Sequence, residues 1–339
     1  MEQEQKPKHR LSKMDTSRPI VRNGKIVEVT PTEWEEQHLF PILDERLGRY
    51  PWAYQMLPRS YIHALLPERG RNKKAKDGAE YLRKRLPKLS HEPNNYLRLP
   101  QRQTDNGFFG ARTFVYAHAD TALNEDNFWH DLMAAMIACQ IEIGVRETPG
   151  LQLVNFERII NMRSMPKDGP RTWTIEIPRP DIVRYGKTLK LTPWRVTPDW
   201  QLFGIATEDG SRVRWYCGIE ADRGTEPSRR NSNPRKSLQS MVKRMLEIDR
   251  LGLAKTLFGL PALYFPIVCN TPQRMATILE IIGQETDGLG NPRIIVKDFP
   301  VYNSYRKPPE PNGEWFKRLW KRVAGNGATW SGEYRMDQL

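Results

Sequence analysis

The stretch Thr197-Pro-Asp-Trp-Gln-Leu-Phe-Gly-Ile-Ala-Thr-Glu-Asp-Gly-Ser211, continued by Arg212-Val-Arg-Trp-Tyr-Cys-Gly-Ile-Glu-Ala-Asp-Arg-Gly-Thr-Glu-Pro227, decides how this chain is read. Gln201 to Ala206 is rich in apolar residues, and Thr207 to Ser211 carries the Asp-Gly signal of a hairpin turn. Arg212 to Glu220 is then rich in aromatic and β-favouring residues. A hairpin folded at 207–211 brings residues near 199 beside residues near 219, because strands rise about 3.3 Å per residue. Two or three of the carboxylates Asp199, Glu220 and Asp222 therefore converge at one end of a sheet. Clustered carboxylates repel one another. A divalent cation relieves that repulsion, and Mg²⁺ takes oxygen ligands of this kind.

Working outward, Arg229-Arg-Asn-Ser-Asn-Pro-Arg235-Lys236 is a strongly basic linker, with Arg230 inside it. It leads into a helix predicted from Ser237 to Ala254, with Leu238, Met241, Met245, Ile248 and Leu251 as its apolar stripe. Lys243 and Glu247 share another face, four residues apart. Leu263 to Cys269 reads as an apolar strand. Thr271 and Pro272 then open a helix to Ile282 as cap and first residue, and Ile294 to Val296 reads as a further strand. Upstream, Asn124 to Gly144 is a long helix carrying His130-Asp131 and Glu142. The pieces 151–156, 172–177 and 189–196 read as strands.

Taken together, Pro198-Asp199, Glu220-x-Asp222-Arg-Gly-Thr-Glu226 and Ser240-x-x-Lys243 resemble the replication-relaxation family, which includes the C-type relaxases of mobilisable plasmids and integrative elements. The motif-level likeness covers residues 198–247, and the element order extends it loosely over 30–300. The resemblance implies a restriction-endonuclease-like mixed-sheet core flanked by helices. It also implies Asp199, Glu220 and Asp222 as ligands of Mg²⁺ or Mn²⁺. Asp222 stands where the endonuclease signature has a lysine, so Lys243 becomes the candidate to offset charge on the phosphorane. Arg223, Arg229, Arg230, Arg235 and Lys236 are the expected grip on flanking DNA backbone. Glu226 belongs to the motif without an assigned step.

The N-terminal part predicts a second function. Helical patterns at 32–47, from Pro51 and at 60–66 precede a basic loop with Lys73, Lys74 and Lys76. A helix over 78–89 follows, with Leu82, Leu86 and Leu89 on one side and Arg83, Lys84, Arg85 and Lys88 on the other. Strand-like runs at 95–99 and 108–118, bearing Arg98, Arg102 and Arg112, complete the order of a winged helix-turn-helix. The basic helix is then the major-groove reader and the lysines of the loop are phosphate contacts.

Composition sets the outer limits. The 339 residues carry 53 Lys and Arg against 40 Asp and Glu, a net charge of +13 that favours an anionic partner such as nucleic acid. Cys139, Cys217 and Cys269 are sparse and odd in number, which argues against a disulfide framework and fits a reducing cytoplasm. No apolar run is long enough to span a membrane. No Gly-rich phosphate loop or paired-His cluster appears, so neither ATP use nor His-ligated relaxase chemistry is expected. The expected organisation is an α+β or α/β chain. It has a flexible arm over 1–30, a winged-helix DNA-binding domain over 31–122, an endonuclease-like core over 123–305 and a basic Trp-rich tail over 306–339. In that tail Trp315 to Val323 reads as an amphipathic helix that docks on the core or on other transfer or replication proteins, and 325–339 as mobile. The expected activity is metal-dependent nicking of double-stranded DNA at an origin-like site of a mobile element. The alternatives are a catalytically silent, sequence-specific initiator or regulator, and a nuclease acting against foreign DNA.

Overall fold

A computed structural model describes residues 16–44, 46, 54–67, 78–101, 114–184, 187–209, 213–225, 227, 237–299 and 308–337. The described chain is mixed α+β, with three two-stranded sheets, two three-stranded sheets and one of five strands. It divides into two units, one of residues 1–139 with 301–312, the other of 140–300 with 313–339.

In the first unit a two-residue ribbon, β1 (Val21–Arg22) and β2 (Lys25–Ile26), closes on Asn23-Gly24. Both turn residues have positive φ, 49° and 73°, as a tight hairpin turn requires. A helical segment begins after Thr32. Its hydroxyl accepts the Glu35 N–H at 3.3 Å and the Glu35 carboxylate accepts the Thr32 N–H at 2.8 Å, a reciprocal capping box. One π-helical turn, Glu35–Leu39, runs into α1 (Phe40–Leu43), which ends at Asp44. Then come β3 (Met56–Pro58), α2 (Arg59–Leu65), α3 (Gly78–Ser90), β4 (Leu97–Arg98) and β5 (Val115–His118). The three strands pair antiparallel in the order β3-β5-β4. Leu39, Ile42, Leu43, Tyr61, Ile62, Leu82, Leu86 and Leu89 are fully buried, so the apolar stripe expected on α3 is its core side. Residues 27–30 are pinned rather than free: Asn94 Oδ1 accepts the Val29 N–H at 2.8 Å, and Arg85 donates to the Thr30 carbonyl at 2.5 Å. The helix expected from Pro51 begins outside the described residues, as do 102–113 of the expected wing.

Helix α4 (Phe128–Arg146) starts four residues later and ends two residues later than the 124–144 expected, after a short 3-10 turn at Glu125–Asn127, and contains the 139/140 division. In the second unit β6 (Leu151–Val154) leads to α5 (Phe156–Ile160), β7 (Ile175–Ile177), the ribbon β8 (Ile182–Arg184) and β9 (Lys187–Leu189), and β10 (Trp194–Val196), which pairs with β7. The hairpin read from the sequence is β11 (Phe203–Thr207) and β12 (Val213–Cys217), with Gly204 opposite Tyr216. β6 adds to the far side of β11. After Gly218-Ile219 the chain resumes as β13 (Glu220–Asp222), which pairs parallel with β14 (Phe265–Cys269), itself parallel to β15 (Ile294–Asp298). A parallel bridge between Cys217 and Tyr264 carries the pairing across the break.

Helix α6 (Leu238–Arg250) is capped by Ser237, whose hydroxyl accepts the Ser240 N–H at 3.2 Å. It stops at Gly252, which takes the left-handed φ of 62° before α7 (Leu253–Phe258). Helix α8 (Pro272–Glu285) starts as its sequence demands, with Thr271 accepting from the Arg274 N–H at 3.1 Å and Pro272 in the first turn. Leu238, Val242, Met245 and Ile248 of α6 and Ile278, Ile281 and Ile282 of α8 form one core with Ile267, Cys269, Ile294 and Val296 of the sheet.

The C-terminal segment departs from expectation. Residues 315–323 do not form one amphipathic helix. A single turn, α9 (Glu314–Lys317), gives way to β16 (Leu319–Lys321), which extends the sheet beyond β15, and β17 (Glu333–Arg335) pairs with β16. Trp315, Phe316 and Trp320 are buried within the same unit, and Trp215 donates through its indole N–H to the Tyr334 hydroxyl at 2.6 Å. The segment is thus core material of the second unit, and the stretch expected to be mobile includes an ordered strand. All three cysteines are buried and unbridged. Among the described residues no helix is long and apolar enough to cross a membrane.

Candidate functional site

Strand β13 is three residues long, and side chains alternate across a strand. Glu220 and Asp222 therefore share one face, and Ala221 takes the other. The register places Glu220 opposite Ile267 and Asp222 opposite Cys269, both in the core beneath α6 and α8. The two acids thus face the helical layer, only 8% and 7% exposed.

Asp199 joins them through the backbone. Its N–H donates to the Ile219 carbonyl at 2.9 Å, and its Oδ2 accepts the Ala221 N–H at 2.8 Å. This is the bonding of a parallel bridge opposite Glu220, with the side-chain carboxylate in place of a main-chain carbonyl. Asp199 thereby caps the edge of β13 that β14 leaves open. Pro198 sets the approach: a Cβ on Gly218 would come within 2.8 Å of Pro198 Cγ, so the glycine lets the two segments close. The hairpin thus brings the Asp199 backbone alongside β13, as its short reach requires.

Asp222 is occupied. Arg274, in the first turn of α8, grips it with both arms: Nε lies 2.5 Å from Oδ2 and the terminal NH2 3.0 Å from Oδ1. Oδ1 also accepts the Gly224 N–H at 3.0 Å. The pair is nearly dry, with side chains 12% and 5% exposed. The loop beyond is clasped by Asn270, which donates to the Arg223 carbonyl at 2.6 Å and lies against Gly224, whose φ is +74°. Arg223 itself has a buried Nε with no hydrogen-bond partner among the described residues. Burial, reinforced by the Asp222 charge, pushes the neighbouring Cys269 thiol up to about 12, so this cysteine is no nucleophile near neutral pH.

Lys243 stands elsewhere. It is half exposed and pairs with Glu285 at 3.5 Å, and Glu285 also accepts from Gln239 at 2.6 Å. Glu285 closes α8 and Arg274 opens it, eleven residues apart, or about 16 Å along the axis. The structure therefore does not bring Lys243 to Asp222. Arg274 is the cation there, and the sequence reading missed it. Its only local signal is a basic residue in the first turn of a helix that follows a strand. Glu142 is fully buried and takes Arg146 one turn on at 2.5 Å. His130 pairs with its neighbour Asp131 at 3.2 Å. Among the described residues no group of three His, Cys, Asp or Glu gathers to hold a metal ion.

On the first unit the basic helix is divided in its duties. Arg85 is drawn inward, donating to Glu35 at 2.6 and 2.8 Å, and Tyr81 adds its hydroxyl to the same carboxylate at 2.6 Å. Burial opposes the Glu35 charge most strongly. Hydrogen bonds from Arg85, Tyr81 and Thr32 together outweigh it, and the carboxyl sits below its ordinary value. Lys88 is partly buried, and that burial lowers its pKa. Arg83 and Lys84 stay exposed, both paired with Glu80. Arg98 donates to the Thr121 carbonyl at 2.5 Å. The outward basic face is thus narrower than the sequence indicates, because two of its four cations are engaged in packing. Lys73, Lys74, Lys76, Arg102, Arg112, Glu226, Arg229, Arg230, Arg235 and Lys236 lie outside the described residues.

Comparison with family models, with curated proteins and with solved structures finds no match to this chain.

Proposed function

We propose that this protein binds duplex DNA through its first unit and nicks one strand with an endonuclease-like second unit, at an origin of a plasmid or other mobile element. The observation that carries the reading is the bridge of Asp199 to the Glu220-Ala221-Asp222 strand, which seats a Pro-Asp beside an acidic strand after a hairpin. The order of elements supports it: α4, β6, β11, β12 running on to β13, α6, then β14 parallel to β13. In the first unit the order α1, β3, α2, α3, β4, β5, with strands arranged β3-β5-β4, supports a winged helix whose reader is α3. Arg83 and Lys84 are its outward cations. The net charge of +13 suits the partner.

Mg²⁺ or Mn²⁺ is the cofactor that the sequence resemblance implies. The expected three-carboxylate set does not fit the arrangement described, because both oxygens of Asp222 are held by Arg274. Of that set Asp199 and Glu220 remain as the acids on which nicking depends. A second reading, a DNA-binding initiator or regulator with a silent core, is favoured by that same occupied Asp222.

Supercoiled DNA carrying the sequence that neighbours the protein's own reading frame tests both. Open circles from the wild type in Mn²⁺ or Mg²⁺, absent in EDTA and in Asp199→Ala and Glu220→Ala, are the expected result. Intact supercoils with unchanged, salt-dependent DNA binding in all three proteins would establish the silent core instead.

A further inference from the structure

The ribbon of β1 and β2 falls in the stretch expected to be a flexible arm, yet it is a built element. An isolated two-stranded hairpin is marginal in water, and this one pairs only Val21 with Ile26 and Arg22 with Lys25. It is held at its foot. The Val27 N–H donates to the Ile20 carbonyl at 2.8 Å, and Asn94 Nδ2 donates to the Val27 carbonyl at 3.1 Å and to the Lys88 carbonyl at 2.8 Å. One side-chain amide thus ties the ribbon to the last turn of α3. Residues directly opposite one another share a face, so Arg22 and Lys25 stand together on one side of the tip and Val21 and Ile26 on the other. We infer that this ribbon is a second DNA-contacting element of the first unit. Its tip sits at the edge of the groove that α3 enters, with Arg22 and Lys25 on backbone phosphates beside Lys88, and Val21 and Ile26 on the sugars. The inference rests on the reading of the first unit as a binder of duplex DNA.

Three features argue for it. The first is charge. Burial lowers the Lys88 pKa, and the charges of Arg22, Arg85 and Lys84 add to the shift, so the ribbon and the end of α3 form one cationic patch. Arg85 is satisfied by Glu35 and Lys84 by Glu80, whereas Arg22, Lys25 and Lys88 have no carboxylate partner among the described residues. Gathered like charges repel, and a row of phosphates relieves them. The second is the apolar pair. Val21 and Ile26 are 57% and 52% exposed, and they add nothing to the core of the unit. The third is shape. Asn23 and Gly24 both hold positive φ, which fixes the turn before any partner arrives and spares the cost of ordering it on contact. An anionic membrane surface also attracts cations beside apolar side chains. Duplex DNA is favoured because the patch runs on along α3, from Lys88 to Lys84 one turn away, and because two side chains offer little apolar area to a bilayer.

The test is binding of the full chain to a labelled duplex of mixed sequence, read by fluorescence anisotropy across a range of salt, with thermal melts to verify that each variant is folded. Arg22→Ala and Lys25→Ala are each expected to lower the salt slope by about 0.9. Arg22→Lys, which keeps the charge, should keep the wild-type slope. Val21→Ser with Ile26→Ser is expected to weaken binding on the order of tenfold at an unchanged slope. Wild-type slopes in both Arg22→Ala and Lys25→Ala overturn the ribbon as a contact, whatever α3 does. An unchanged affinity in the serine pair strikes Val21 and Ile26 from the contact. Lowered slopes in the ribbon variants, with Arg83→Ala and Lys84→Ala unmoved, keep the ribbon and remove α3 as the reader. A wild type that binds no duplex removes the ribbon contact and the DNA reading together. Binding of the wild type to phosphatidylserine vesicles, lost in the ribbon variants while their duplex binding stays whole, assigns the tip to a membrane surface and overturns the inference.

Discussion

Arg85→Met separates packing from DNA binding on α3. Glu35 is completely buried and Arg85 14% exposed, and the carboxylate accepts two hydrogen bonds from Arg85, one from the Tyr81 hydroxyl and one from the Thr32 N–H. Removing the arginine leaves a buried carboxylate with two partners and no counter-charge. Breaking one side of a buried pair costs about 3–5 kcal/mol. The second variant, Arg85→Met with Glu35→Gln, removes the stranded charge and is expected to recover part of that loss. The pH dependence has a definite sign. The Glu35 carboxyl is depressed in the fold from an ordinary 4.5. Its contribution is therefore present above that value and lost as pH falls through the folded pKa. The deficit of Arg85→Met should shrink in acid for the same reason. Two compact units make a single global transition an unsafe measure, so hydrogen exchange of the α3 amides in urea is the assay. On the DNA-binding reading, Arg85→Met leaves the salt dependence of binding unchanged. Replacing Arg83 or Lys84 lowers its slope by about 0.9 for each phosphate no longer neutralised. A loss below about 1 kcal/mol for Arg85→Met, far under the range for a broken buried pair, together with a lowered slope, would refute the assignment of Arg85 to the core.

The remaining expectations concern the second unit. Burial drives the Lys297 ammonium down to about 8 from 10.5, with the charge of Arg318 adding to it, while Nζ donates to the Leu319 carbonyl at 2.7 Å. Between those two values the unfolded chain binds more protons, so stability rises with pH across that window. Lys297→Met should remove this part of the rise, measured as urea midpoints at the two ends. Tyr334→Phe deletes the acceptor of the buried Trp215 indole N–H and keeps the ring stacked at 5.4 Å. A loss of about 1–3 kcal/mol is expected for a stranded buried donor, and an unchanged melting temperature would show that β17 does not anchor the hairpin.

By itself the sequence determined the elements whose signals lie within a few residues. The hairpin at 203–217, the cap and proline that open α8, the Ser237 start of α6 and the buried stripe of α3 all follow from turn chemistry, capping and periodicity. The approach of Asp199 to β13 was legible for the same reason, since the hairpin is short and its rise per residue is known. Tertiary structure alone decided which charges meet. Arg85 finds Glu35 fifty residues away and Arg274 finds Asp222 fifty-two away, whereas Lys243 turns to Glu285. Nothing local distinguishes a cation destined for a buried carboxylate from one left in water; only the folded distances do. The segment after Trp315 shows the same limit in its backbone. Its aromatic and basic residues satisfy helical spacing and strand alternation alike, and the open edge of β15 settled the choice by offering the backbone hydrogen bonds of a sheet.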